Sequence, residues 1–135
     1  MTRVVVDASA LAAITFGEPG FERLIPRLDG ATVFAPALLK FELASTALKK
    51  IRRQPADAVK ILTAVTVVLD GQWGIDWQDI EPSDVVLLAR ETGLSAYDAS
   101  YLWLAGSLGA ELVTLDARLA RAIEGLQTTN PSATA

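Results

Sequence analysis

Four acidic residues occupy positions that solubility does not call for. Asp7 closes the apolar run Val4-Val5-Val6, and Asp116 closes Leu112-Val113-Thr114-Leu115. Asp98 follows Ser95-Ala96-Tyr97 at the start of a helical stretch and shares a face with Leu102 and Ala105. Glu42 lies early in another helical stretch, from Ala37 to Arg53. Carboxylates that converge repel one another and titrate high unless a cation sits among them. The chain has no histidine and no cysteine, so a bound metal must be held by oxygen, which favours Mg²⁺ or Mn²⁺. Such an ion activates water and steadies a phosphoryl transition state. The same absences exclude a disulfide, a Cys/His zinc site, a thiol nucleophile and a Ser-His-Asp triad.

Each acid also has a purely structural reading. Asp7 and Asp116 can serve as N-caps for the helices that follow them. Ser95 with Asp98 at the third helical position resembles a capping box, and an acid there suits the helix dipole. Glu42 lies away from a stripe of Phe41, Ala44, Leu48 and Ile51 that is expected to face the core, and shares a face with Thr46, Lys49 and Arg53. That reads as a solvated face with charge pairing, although Leu38 and Leu39 one turn earlier argue that part of it is covered. Taken singly, the acids leave both readings open. Their joint placement, two at strand ends and two near helix starts, is more informative.

The elements that must position them follow from hydrophobic patterning. Val4–Val6 is a β-branched run without alternation, as expected of a strand buried on both faces. Further short strands are predicted at Ala31–Ala35, around Gly74–Asp76 and at Leu112–Leu115. Helices are predicted at Ser9–Thr15, Phe21–Leu28, Ala37–Arg53, from Pro55 to about Val67, and at Pro82–Glu91, Ala96–Leu108 and Ala117–Ile123, with glycine or proline at most boundaries. Strands alternating with helices indicate an α/β domain with a central, mostly parallel sheet of four to five strands flanked by helices. In such sheets ligands bind beyond the carboxyl ends of the strands, where Asp7 and Asp116 lie. The domain is expected to span residues 1–126, with 127–135 as a polar, frayed tail.

At 135 residues the chain suits one domain with a sizeable core. Hydrophobic residues make up 51% and charged residues 21%, an ordinary globular balance. Twelve Lys+Arg against 16 Asp+Glu give a net charge of −4, which excludes a uniformly basic nucleic-acid coat but not a local basic stripe. No apolar run is long enough to span a membrane, and a signal peptide would not place Asp7 inside its apolar segment. A cytoplasmic protein is expected, and the lack of cysteine fits a reducing compartment.

The ordered set Val4-Val5-Val6-Asp7-Ala8-Ser9-Ala10-Leu11, Phe41-Glu42-Leu43-Ala44, Ser95-Ala96-Tyr97-Asp98-Ala99 and Thr114-Leu115-Asp116 resembles the PIN domain, and within it the VapC-type toxins of toxin–antitoxin pairs. The resemblance runs from Val4 to about Ile123. It implies a Mg²⁺- or Mn²⁺-dependent ribonuclease in which Asp7, Glu42, Asp98 and Asp116 form an acidic pocket supported by Ser9 and Thr114. It also implies a cognate antitoxin whose C-terminal segment covers the acidic groove, and a homodimer. Asp7, Asp98 and Asp116 would hold the metal, while Glu42 would ligate a second ion or orient the attacking water. Two departures stand out: Ser45 replaces an Asn common among relatives, and no clear final strand follows Ile123.

Lys49, Lys50, Arg52 and Arg53 form a basic cluster. Lys49 and Arg53 share a face and could grip RNA phosphates, or the cluster could simply complement a helix C-terminus. Trp73, Trp77 and Trp103 are candidates for partner contact or for the core. Two rival functions fit parts of the pattern. In one, Asp7 accepts a phosphoryl group, as in receiver or haloacid-dehalogenase-like proteins. Those patterns want a late strand-end lysine, however, and none follows Lys60; the dehalogenase pattern also wants an acid at the position held by Ser9. In the other, the chain is a non-catalytic binding module that tolerates loss of any one acid.

Overall fold

The computed structural model describes residues 2–129. Its centre is β1 (Arg3–Val6), whose three valines are at most 1% exposed and therefore covered on both faces. Around it, β2 (Thr32–Pro36), β3 (Asp76–Gln78) and β4 (Glu111–Val113) complete a four-stranded sheet in the order β3-β2-β1-β4. Every pairing is parallel, with Val5 opposite both Phe34 of β2 and Leu112 of β4. The chain steps from β1 outward through β2 to β3, then returns across the sheet to β4. The order therefore reverses between β1 and β4, the place where open parallel sheets form a ligand crevice.

Helices supply the crossovers that parallel strands require. They are α1 (Ala8–Phe16), α2 (Phe21–Leu28), α3 (Leu39–Arg53), α4 (Ala58–Leu69), α5 (Pro82–Thr92), α6 (Ala96–Leu108) and α7 (Ala117–Thr129). One helical group, α1 with α2, α3 and α4, packs upon itself. Apart from that group, α6 lies against β1, β2 and β4, and α5 packs on α6. Both faces of α6 are covered, which is why Ala99, Tyr101, Leu102, Leu104 and Ala105 are all buried and why its sequence shows no clean amphipathic stripe. Gly109 ends α6 with a φ of 62°, and its amide returns to Ala105 and Gly106. That left-handed turn lets the chain enter β4 after one further residue.

The predicted architecture holds, with shifts of at most three residues at element ends other than the end of α7, such as Asp76–Gln78 for the strand expected around Gly74–Asp76. Helix α7 continues to Thr129, past the point where the sequence suggests a tail; residues 130–135 lie outside the described residues. The expected core stripe of α3 is corrected. Phe41 is 81% exposed, Leu48 is 46% exposed and Ala44 faces solvent, while Leu39, Leu43 and Ala47 are buried. Two apolar rows run along this helix, and the inward one contains the compact Ala47, which permits close approach to α1 and α4. Rotating the helix in this way also brings Glu42 to a half-buried position.

Candidate active site

Asp7 follows β1 directly and is 4% exposed. It is the N-cap of α1: its Oδ1 accepts the Ala10 amide at 2.9 Å and the Ser9 hydroxyl at 2.8 Å. Its Oδ2 accepts the Thr114 hydroxyl at 2.5 Å. Both hydroxyls then accept backbone amides in turn. Ser9 Oγ takes the Leu115 amide at 2.9 Å, and Thr114 Oγ1 takes the Asp116 amide at 2.9 Å. The ends of β1 and β4 are thus knitted together through Asp7. The cap is made, and one of the carboxylate's about four acceptor positions remains unspent.

Asp116 shows the same economy. Its Oδ1 accepts the amides of Arg118 at 2.8 Å and Leu119 at 3.3 Å, capping α7, and Oδ2 has no partner among the described residues. Asp98 lies in the first turn of α6, where Ser95 Oγ accepts its amide at 3.0 Å. Its carboxylate makes no hydrogen bond among the described residues. Glu42 lies in the first turn of α3. Its Oε1 accepts the Tyr101 hydroxyl at 2.6 Å across 59 residues of sequence. All four acids therefore sit at helix N-termini, whose dipoles favour negative charge.

The electrostatics tie the four together. Burial holds the Asp7 carboxyl above its ordinary range; hydrogen bonds from Thr114, Ala10 and Ser9 pull it back, and the Asp116 charge pushes it up. Burial also raises Glu42, against the Tyr101 hydrogen bond, and the charges of Asp98 and Asp7 add to the rise. Tyr101 is held well above the usual phenol range by burial and by its bond to Glu42, so its hydroxyl stays a donor. A carboxylate has about four acceptor positions, so Asp7 keeps one in reserve and the other acids keep more. Among the described residues no three acids form a ready-made ligand cage. Mg²⁺ retains several waters and is commonly held through only one or two carboxylates, so the unspent oxygens fit such an ion.

Ser9 and Thr114 lie 3.3 Å apart, and each donates its hydroxyl to Asp7. Lys49 and Arg53 are exposed on α3, two and three turns beyond Glu42, about 10 and 16 Å along the axis. Lys50 leaves the basic cluster to pair with Glu18 at 3.1 Å and to sit 5.1 Å over the Phe16 ring. Ser45 is exposed. Trp77 and Trp103 pack against the core, with Lys40 Nζ 5.1 Å over the Trp77 ring, and Trp73 remains 43% exposed. Sequence reasoning misses Tyr101, whose hydroxyl reaches Glu42. Its only signal is its place one helical turn after Asp98.

Comparison with known proteins places this geometry in context. A family described as the PIN domain matches residues 4–124. By sequence the chain is similar to Ribonuclease VapC3 of Pyrobaculum aerophilum, 29% identical over 130 residues that span 93% of this chain and 98% of that protein. By structure it is similar to the crystal structure of PAE2754 from Pyrobaculum aerophilum, with a TM-score of 0.72 and 25% identity, covering 97% of this chain and 96% of that one.

Proposed function

The chain belongs to the PIN domain family, and from that membership we propose that it is a Mg²⁺- or Mn²⁺-dependent ribonuclease acting as the toxin of a toxin–antitoxin pair. The observation that carries the proposal is the buried Asp7 at the reversal between β1 and β4, clamped by Ser9 and Thr114 and coupled by charge to Asp116. Similarity to a protein named as a VapC ribonuclease supports the choice of RNA.

Asp7, Asp98 and Asp116 hold the metal, directly or through water. An ion held there would supply an activated water and neutralise charge building on the phosphoryl group. Glu42 orients the attacking water or helps hold a second ion. Ser9 and Thr114 keep Asp7 fixed by spending their hydroxyl protons on it. Lys49 and Arg53 grip the phosphates of the strand leading into the site. The same reading pairs the chain with an antitoxin whose C-terminal segment covers the acidic groove, with a second copy of itself, and with the cytoplasm; among the described residues no helix is long and apolar enough to cross a membrane. The rival in which Asp7 accepts a phosphoryl group is disfavoured. Its pattern wants a late strand-end lysine, and none follows Lys60; the dehalogenase form also wants an acid where Ser9 stands.

The test is to incubate purified protein with RNA and Mg²⁺ or Mn²⁺, sequence the new ends, and run Asp7→Asn beside it. The substitution keeps the cap but removes a charged ligand, so cleavage is expected to fall by at least about 100-fold. Full activity in a folded Asp7→Asn protein would sink the assignment.

A further inference from the structure

Among the described residues Tyr101 is the largest fully buried side chain, at 1% exposure. It stands three residues after Asp98 on α6, hence on the same face one turn along, and its hydroxyl reaches Glu42 on α3. A buried tyrosine needs an acceptor for its hydroxyl, and a backbone carbonyl would serve at less electrostatic cost. Here the acceptor is a half-buried carboxylate that already feels Asp98 and Asp7. The 2.6 Å separation is that of a charge-assisted O–H···O⁻ bond, the strong and directional kind. It engages Oε1 alone; Oε2 of Glu42 has no partner among the described residues. Glutamate has three rotatable side-chain bonds, and nothing else in the described structure hydrogen-bonds its carboxylate.

We propose that Tyr101 is a positioning residue: by latching Oε1 of Glu42 it fixes the plane of that carboxylate and presents Oε2 to the reacting water or ion. The role rests on the ribonuclease reading above. It places Asp98 and the group that aims Glu42 on one rigid helix, so two of the four acids keep their relative setting even though α3 and α6 do not pack along one another. The ring remains useful packing without the hydroxyl, so Tyr101→Phe separates the two jobs.

The experiment measures RNA cleavage by wild type and Tyr101→Phe with Mn²⁺, and thermal unfolding of metal-free wild type, Tyr101→Phe, Glu42→Ala and the double variant. Tyr101→Phe is expected to lower kcat by about 10–100-fold. KM should stay within about twofold, because orientation of the reacting group is expressed in the transition state. In unfolding, Tyr101→Phe is expected to lower the melting temperature of wild type but not that of Glu42→Ala, where the hydroxyl has already lost its acceptor. An unchanged kcat in folded Tyr101→Phe, a rise in KM alone, or additive melting shifts overturns the role. A wild-type protein inert toward RNA with either metal overturns the ribonuclease reading and the role with it. If Tyr101→Phe does not fold, 3-fluorotyrosine is incorporated into a Tyr97→Phe protein, leaving Tyr101 as its only tyrosine. A changed kcat then supports the latch and an unchanged one overturns it.

Discussion

Asp7 joins backbone capping to the electrostatics of the sheet's edge in one side chain. It caps α1 and receives two hydroxyl protons, yet burial and Asp116 keep its carboxyl above the ordinary range. The sign of the resulting pH dependence follows. An acid that titrates higher in the folded state binds its proton more readily there than in the unfolded chain. Its stabilising contribution is present below the unfolded value and is lost as pH rises through the folded one. Metal-free Asp7→Asn is therefore expected to melt above wild type near neutrality, with the gap closing as pH falls into the ordinary carboxylate range. The amide can keep Oδ1 for Ser9 and Ala10 and turn an N–H to Thr114 Oγ1, whose proton is then free for Ser9 3.3 Å away. Glu42→Gln should behave with the same sign, since burial also raises Glu42. Melting curves in chelator between about pH 4 and about pH 8 check this; a gap that does not vary with pH would refute it.

Helix α3 carries the clearest lesson at the scale of elements. Leu43 is 1% exposed and Phe41 is 81% exposed. Leu43→Ala is therefore expected to cost about 2–5 kcal/mol in unfolding experiments. Phe41→Ala should stay within about 0.5 kcal/mol at dilute protein; a larger cost that grows with protein concentration would place Phe41 against a second copy. On the same helix, Lys49→Ala with Arg53→Ala should flatten the salt dependence of RNA binding by about 0.7 in slope per lost contact. An unchanged slope would assign the pair to the helix terminus alone. The strand–helix order is legible in sequence because Val4–Val6, the glycines after helices and the prolines before them are local signals. The rotation of α3 is not, because rows through Leu39–Leu43–Ala47 and Phe41–Ala44–Leu48 are both apolar and only tertiary packing chooses between them. The acids are legible as strand-end and helix-start residues. Tyr101 is hidden because its meaning depends on a partner 59 residues away.

For the whole molecule, the parallel sheet turns four helix N-termini, those of α1, α3, α6 and α7, toward a common set of acids. The dipoles offset part of the repulsion, and the divalent ion proposed above would offset more. Millimolar Mg²⁺ or Mn²⁺ is expected to raise the melting temperature, by mass action worth about 2.7 kcal/mol at a hundredfold excess over Kd. Asp7→Asn and Asp116→Asn should lose that rise. A melting curve indifferent to both metals would count against an ion among these acids. The pairing of β1 with β4 has a further consequence, one of timing. Ser9 and Thr114 are 105 residues apart, and ribosomes add about 5–20 residues per second, so roughly 5–20 s pass between making one half of the Asp7 clamp and making the other. Until then the nascent chain has neither Thr114 on Asp7 nor Asp116 beside it. In the ribonuclease proposed above, that delay keeps the nascent chain without a complete acidic site until Asp116 has been made.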